Sequence, residues 1–211
     1  MNRKIAPRRA PQFELMGGPA CLDFVNTLDD RFSTQPKELL NDYRDLARFA
    51  EDTRLLSPQE ADRLCVRAGK SPQEARKVLQ SAIRMREALS AIFYARIREQ
   101  PVAQAALDLL NDYLQQAARH ASLAPAEGHF EWGFKSLEDH LEAPIWLIAR
   151  SAAELLASEQ LQFVRACASK TCEWLFLDES KNHRRRWCDM TKCGNRAKVR
   201  TFYSRQKTAQ R

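Results

Sequence analysis

The feature that most constrains this chain is a set of four cysteines near its C-terminal end. Cys167, Cys172, Cys188 and Cys193 are spaced C-x4-C-x15-C-x4-C, so two close pairs are separated by a loop long enough to fold back. Cysteines paired at short spacing are typical of a closed tetrahedral zinc site. The spacing therefore predicts a single structural Zn²⁺ ion held by these four thiolates.

Two other uses of the cluster stay open at this point. In the first alternative, the cysteines are unligated or redox-active thiols. In the second, His183, which lies in the loop between the pairs, replaces one thiolate as a ligand. Catalysis at the metal is not expected, because a catalytic zinc ion keeps one position for water and four cysteines leave none. Cys21 and Cys65 lie on apolar helix faces, which is typical of buried core thiols.

Positive charge collects at the same end of the chain. The whole sequence has 34 Lys and Arg residues against 27 Asp and Glu residues. Residues 160–211 alone hold 13 basic and 4 acidic residues, a net charge of +9, whereas residues 1–159 have a net charge of −2. A mildly acidic body joined to a short basic end is expected when one small module binds a polyanion.

Eight basic residues of this end are candidate contacts to double-stranded DNA. They are Arg184, Arg185, Arg186, Lys192, Arg196, Lys198, Arg200 and Arg205. Cations that follow phosphates gain affinity by counterion release, although such contacts do not read the base sequence. An RNA-binding finger and a protein-interaction module remain alternatives, but few exposed aromatic residues outside the core are expected, which favours a duplex over a single strand.

Helical periodicity dominates the sequence that precedes the cysteine cluster. Two Ser-Pro-Gln-Glu capping boxes, which begin at Ser57 and Ser71, predict helix starts there. Helices are predicted near 20–28, 42–56, 58–67, 72–100, 106–120 and 144–157. A strand is predicted over 13–15, and period-two alternation around Gly128 predicts a hairpin within 121–135. We therefore expect an α+β fold: a mobile basic arm (1–12), a mainly helical domain with a small β-sheet (13–158) and a treble-clef zinc finger (159–211).

Within the finger, the sequence predicts a hairpin followed by a helix. A strand over 174–177 is expected to pair with a returning strand over 184–187, and a helix is expected to begin at Cys193 and end near Lys207. A module of about 50 residues buries too little apolar surface to fold alone. Metal binding should therefore supply much of its folding free energy.

This end of the chain resembles the CGNR zinc-finger family, most clearly in the run Lys192-Cys193-Gly194-Asn195-Arg196-Ala197-Lys198-Val199-Arg200. That family's pattern also includes Trp174-Leu175-Phe176 and residues 184–187 at the places where they occur here. Gly17-Gly18 and residues 22–27 are similar to the start of the ABATE domain that precedes this finger. The resemblance implies a stress-responsive transcriptional regulator. Its treble-clef finger would contact DNA, and its N-terminal domain would sense a small ligand that is not identified.

Candidate ligand contacts in the N-terminal domain are Asp23, Asn26, Arg31 and Trp132, because polar groups beside an aromatic strand can line a pocket. No nucleophile–base pair or phosphate-binding glycine loop is present in the sequence, so an enzyme is not expected.

The sequence also bears on location and assembly. No apolar stretch is long enough for a membrane span or a secretory signal, so we expect a cytoplasmic protein associated with the nucleoid and no membrane partner. A homodimer is expected, because one small finger reads few base pairs.

Overall fold

The computed structural model describes residues 13–199. Within this range the chain forms six complete α-helices and three two-stranded antiparallel sheets, and a further α-helix begins at residue 195. The helices are α1 (Ala20–Val25), α2 (Tyr43–Asp52), α3 (Pro58–Lys70), α4 (Pro72–Ile97), α5 (Gln104–Ala118) and α6 (Ala143–Leu156). The strands are β1 (Leu28–Asp29), β2 (Lys37–Glu38), β3 (Ala121–Ala126), β4 (His129–Phe134), β5 (Val164–Ala166) and β6 (Leu175–Leu177). The predicted α+β, mainly helical fold is confirmed. The predicted arm (1–12) lies outside the described residues.

Local capping explains where several helices begin. Ser57 caps α3 through the predicted capping box with Glu60, and Asp42 forms a second box with Asp45 at the start of α2. The box predicted at Ser71 is wrong, since its side chain makes no capping bond. Ser71 also ends α3, where its amide donates to the Arg67 carbonyl, and this bond fixes its backbone at φ −128° and ψ 64°.

Helix α4 lies at the centre of the main core. Helices α1, α2, α3, α5 and α6 pack against it, and strand β5 contacts it as well. The large side chains Phe24, Phe49, Leu89 and Phe93 are completely buried there. No helix among residues 13–199 is long and apolar enough to cross a membrane.

Strand β6 joins this core to the cysteine cluster because its side chains alternate between two faces. Leu175 and Leu177 belong to the main core, whereas Trp174, which precedes the strand, and Phe176 pack with the four cysteines. The finger therefore has a small core of its own around the cysteines and also contributes side chains to the core of the helical region.

The hairpin predicted inside the finger is wrong. Strand β6 pairs with β5, which precedes the first cysteine pair, and residues 184–187 form no strand. A single backbone bond, from the Ala168 amide to the Arg186 carbonyl, joins this segment to the chain near the first pair. Sequence alternation identified β6 but carried no information about its partner, because pairing depends on which edge the main core leaves accessible.

The N-terminal segment and the short β1–β2 ribbon lie against the finger. No strand forms over 13–15, but the Gly17 carbonyl accepts a 2.9 Å bond from the Leu177 amide, at the finger strand. Gly18 follows with φ +90°, a conformation that favours glycine. The ribbon is held on α4 by Arg86, whose side chain is buried. The Arg86 guanidinium donates hydrogen bonds of 2.6 and 2.7 Å to the two carboxylate oxygens of Glu38 in β2.

Candidate metal centre and nucleic-acid interface

The four cysteines predicted as ligands come together in one buried cluster. Their sulfur atoms all lie within 4.8 Å of one another, with 3.6 Å between Cys172 and Cys188 and 3.8 Å between Cys188 and Cys193. A tetrahedron with Zn–S bonds of about 2.3 Å has S···S edges of about 3.8 Å. The donor set and its size therefore fit one Zn²⁺ ion, whose binding would require little rearrangement.

The thiols of this cluster also require a cation on electrostatic grounds. Hydrogen bonds from Cys172 and Cys188 lower the pKa of the Cys167 thiol, while the same contact with Cys167 raises the pKa of Cys172. Ionised sulfurs this close repel one another, so four thiolates coexist only when a positive charge lies between them. A divalent ion held by Cys167, Cys172, Cys188 and Cys193 would supply that charge.

Each cysteine pair is held by a compact turn. In the first, the Cys167 amide donates to the Trp174 carbonyl at 2.8 Å, and the Cys172 amide donates to the Ser169 carbonyl at 2.9 Å. In the second, Asp189 caps a π-helical turn (Met190–Gly194) by accepting from the Thr191 amide at 2.6 Å. Residues 195–199 continue this turn as an α-helix, as predicted for a helix that begins at the second pair.

The alternative ligand His183 does not join the cluster. Its Nδ1 lies 2.7 Å from the Asp178 carbonyl oxygen, and its ring stacks on Phe163 with 3.7 Å between ring centroids. Among the described residues, the four cysteines alone form the group that is able to hold a metal ion.

Arg185, one of the predicted DNA contacts, holds the finger together. Its guanidinium donates to the carbonyls of Trp187 and Cys188 and lies 4.6 Å from the centre of the Phe176 ring. Its amide donates to the buried carboxylate of Asp178 at 2.9 Å. Arg185 therefore fixes the loop that leads into the second cysteine pair.

Two other predicted DNA contacts also have protein partners. Arg196 donates from Nη2 to the Cys193 sulfur at 3.4 Å, next to the metal position. Lys192 forms a 2.5 Å ion pair with Glu14 of the N-terminal segment. Charge on these two residues is partly offset by acidic or thiolate neighbours.

Of the five remaining candidate DNA contacts, three lie within the described residues and two lie outside them. Arg184, Arg186 and Lys198 are exposed on the finger, and Arg186 lies over the Trp187 ring at 5.1 Å. Arg200 and Arg205 lie outside the described residues, as does the end of the predicted helix near Lys207.

Asp23 and Asn26, two predicted ligand contacts, are buried and bonded within the protein. Asp23 accepts from the Gly17 amide at 2.6 Å, and burial raises its pKa to about 7 despite this bond. A Cβ atom at Gly17 would lie 2.9 Å from the Asp23 amide nitrogen, so this approach requires glycine. Asn26 exchanges two 2.9 Å hydrogen bonds with the Leu175 backbone, and thus joins α1 to strand β6.

The other two ligand candidates have different surroundings. Arg31 pairs with Glu87 and donates to the Val25 carbonyl at 3.0 Å. Trp132 is on β4, where it is 48% exposed and lies against the guanidinium of Arg150 at 3.9 Å. None of the four candidates lines the cavity found beside the cysteine cluster.

That cavity has a volume of about 220 Å³ and lies between the finger and the N-terminal region. Asp30 and Lys37 of the β1–β2 ribbon line one side, and Trp174, Lys192 and Arg196 of the finger line the other. The cavity opens onto the metal position, because three of the four cysteines also line it: Cys172, Cys188 and Cys193. Charges of both signs therefore face the same space. No periodic pattern or motif in the sequence points to these ribbon residues, because they meet the finger only through the fold.

A hydrogen bond ties the ribbon to the finger at this cavity. The Trp174 indole nitrogen donates to Asp29 Oδ1 at 2.9 Å, and the neighbouring Asp30 amide donates to the same oxygen at 2.8 Å. At the far side of the finger, the Tyr94 hydroxyl of α4 donates to the Glu173 carbonyl at 2.6 Å. The cavity is thus bounded by contacts that fix the finger's position on the helical region.

Comparison with protein families agrees with the two regions that the sequence suggested. Residues 18–159 match the ABATE family model, described as "Putative stress-induced transcription regulator". Residues 164–206 match the model of the CGNR zinc finger. No match was found among curated proteins.

Proposed function

Since this chain belongs to the ABATE family and ends in a CGNR zinc finger, we propose that it is a transcriptional regulator whose finger binds double-stranded DNA. The observation that carries this proposal is the exposed basic surface formed by Arg184, Arg186 and Lys198 around a closed four-cysteine centre. With all four ligand positions taken by protein, the metal would act in structure and not in catalysis. The protein would then act on the nucleoid and would not be an enzyme.

The basic surface supports DNA binding through phosphates. Arg184, Arg186 and Lys198 have exposed side chains, and Arg200 and Arg205 add two further cations in the sequence. Five phosphate contacts predict that the logarithm of the affinity falls with the logarithm of salt concentration with a slope of about −4.5. Arg185 is left out of this set because its guanidinium is bonded inside the finger.

Replacing Arg186 with alanine is expected to remove one such contact and leave the zinc ion bound. The affinity for duplex DNA should fall similarly for all sequences, and the magnitude of the salt slope should fall by about 0.9. Fluorescence anisotropy of a labelled duplex over a range of salt concentrations measures both quantities, and metal analysis of the same sample checks the zinc content.

Arg76→Ala is the matched control, because it removes an equal charge from an exposed position near the start of α4. Arg76 lies 18 residues before Tyr94, which contacts the finger, so about 27 Å of helix separates the two. Affinity that is insensitive to salt would refute the phosphate mechanism. Preference for structured RNA in a competition would favour the RNA-binding alternative, and no nucleic-acid binding at physiological salt would favour a protein-interaction module.

The proposal also assigns a ligand-sensing role to the N-terminal region, and the cavity beside the finger supports a location for it. Asp30 and Lys37 are positioned to bind opposite charges, so a small zwitterion of the amino-acid class is the ligand that fits best. A ligand there would touch both regions and bias the finger's position on the ribbon. Trp174, which lines the cavity, is bonded to Asp29 and packs with the cysteines, and it provides the physical connection.

A thermal-shift panel of amino acids tests this location. At least one member is expected to raise the melting temperature, and Lys37→Met should abolish the shift by removing the cation that would bind its carboxylate. Lys77→Met, on the exposed surface near the start of α4, is the control and should leave the shift unchanged. A panel without any shift, or equal loss in both variants, would contradict the assignment.

A further inference from the structure

The β3–β4 hairpin has one face made entirely of apolar side chains. The register pairs Ala121 with Phe134, Leu123 with Trp132 and Pro125 with Phe130, and cross-strand partners lie on the same face of a sheet. The intervening pairs place Ser122, Ala124, Ala126, His129, Glu131 and Gly133 on the opposite face. The hairpin is therefore amphipathic, with a continuous apolar surface made of three residues from each strand and a second face that carries its polar groups.

Much of this apolar face is accessible. Leu123 is 65% exposed, Phe130 is 71% exposed and Trp132 is 48% exposed. Phe134, at one end of the face, is partly buried against the main core, and Arg150 of α6 places its guanidinium over Trp132 and at 5.5 Å from the centre of the Phe134 ring. In the described part of the chain, no third strand pairs with either strand of the hairpin.

An exposed face of this kind is costly for a soluble monomer. A two-stranded hairpin is marginally stable unless its apolar side packs against something else. The exposed parts of the three large side chains add up to roughly 400 Å² in one copy, the size at which an apolar patch marks an interaction site. The face therefore calls for a partner that covers it.

We propose that a second copy of this chain covers the hairpin face, so that the two hairpins pack across a twofold axis. An apolar face is complementary to itself, as a twofold interface requires. The described charges beside it have opposite signs, since Arg150, which lies over Trp132, forms an ion pair with Glu154. The two bodies therefore approach without strong repulsion, while the net charge of +9 is carried by residues 160–211.

The area sets the strength of this dimer. Two such faces bury roughly 800 Å², which is below the ~1,200 Å² of standard stable interfaces, so association is weak and depends on concentration. In such a dimer, binding of one finger to a duplex would hold the second finger near the same duplex, which raises its effective concentration. This last step rests on the proposed DNA binding, whereas the dimer itself does not. Trp132, predicted as a ligand contact, becomes an interface residue.

Sedimentation velocity of the full zinc-loaded chain without DNA tests the dimer. The wild-type chain is expected to shift from monomer to dimer between low micromolar and near-millimolar concentration. Leu123→Glu places a carboxylate in both halves of the symmetric interface and should weaken association by about a hundredfold or more. Because Leu123 is exposed in the monomer, the variant should keep the circular dichroism spectrum of the wild type.

Ser122→Glu is the matched control, since it adds the same charge next to Leu123 on the polar face, at a partly exposed position whose cross-strand partner is Gly133. It should dimerise like the wild type. If Leu123→Glu fails to fold, Phe130→Ser provides the second test at a site that is 71% exposed. A wild-type chain that stays monomeric at every concentration would overturn the proposal, and so would equal weakening by Ser122→Glu. Loss of DNA binding alone would overturn only the function proposed for the finger.

Discussion

Replacement of Cys188 by alanine is expected to release the zinc ion and unfold the finger. The variant keeps three thiolates, and the tetrahedral site loses the sulfur that lies 3.6 Å from Cys172 and 3.8 Å from Cys193. Structural zinc sites contribute roughly 10 kcal/mol or more of binding free energy to folding. Zinc measured by metal analysis should fall from one ion per chain to near zero.

The loss of zinc should also destabilise the helical region, outside the finger. Leu175 and Leu177 of strand β6 are buried in the main core, so a disordered finger would expose apolar surface of the helical region. We expect a single unfolding transition at a much lower temperature than in the zinc-loaded wild type, in circular dichroism and in calorimetry.

Cys65→Ala is the control for this experiment, because Cys65 is a partly buried thiol on α3, outside the cluster. It should retain a full zinc content and a nearly unchanged transition. A Cys188→Ala chain that still binds one zinc ion would show that the cluster is not the metal site. An unchanged transition of the helical region would show that the two regions do not share their stability.

Replacement of Asn26 by alanine is expected to lower the free energy of unfolding by about 2–6 kcal/mol. The Asn26 amide donates to the Leu175 carbonyl and its Oδ1 accepts from the Leu175 amide, both at 2.9 Å and both buried. Alanine leaves a buried backbone donor and a buried acceptor without these partners, and each costs about 1–3 kcal/mol. Urea unfolding followed by circular dichroism measures the change.

Two further variants sharpen this measurement. Asn26→Asp keeps an acceptor for the Leu175 amide but opposes the Leu175 carbonyl with a second oxygen, so it should be destabilised as well. Asn41→Ala removes an exposed amide at the start of α2 and should change the unfolding free energy by less than about 0.5 kcal/mol. An Asn26→Ala chain as stable as Asn41→Ala would rule out this bond as the link between α1 and the finger.

Local patterns predicted the helices well. Apolar spacing identified α4 and α6 within a few residues, and the Ser57 box gave the first turn of α3, because these features depend on side chains three or four positions apart. The hairpin around Gly128 followed from period-two alternation next to a glycine, and the structure places that glycine at φ +75°. The Ser71 box failed because the preceding helix determines the backbone there.

Roles of individual polar residues were predicted less well. Arg185 was grouped with the DNA contacts by charge alone, but its guanidinium bonds to two carbonyls of the finger. Asn26 was chosen as a ligand contact, but its amide is used by the backbone of β6. Residue type and spacing state what a side chain is able to do, while its partner depends on which surfaces meet.

The sequence by itself determined the metal ligands, the helical character of the fold and the basic end. Each is set by residues close together in the chain or by composition, and therefore does not require knowledge of the tertiary fold. Only the tertiary structure decided that β6 divides its side chains between two cores, that charged residues of the ribbon and the finger enclose a cavity, and that the hairpin leaves its apolar face exposed. These features arise from contacts between distant parts of the chain, such as the 149 positions that separate Asn26 from Leu175, and no local pattern encodes which distant surfaces will pack together.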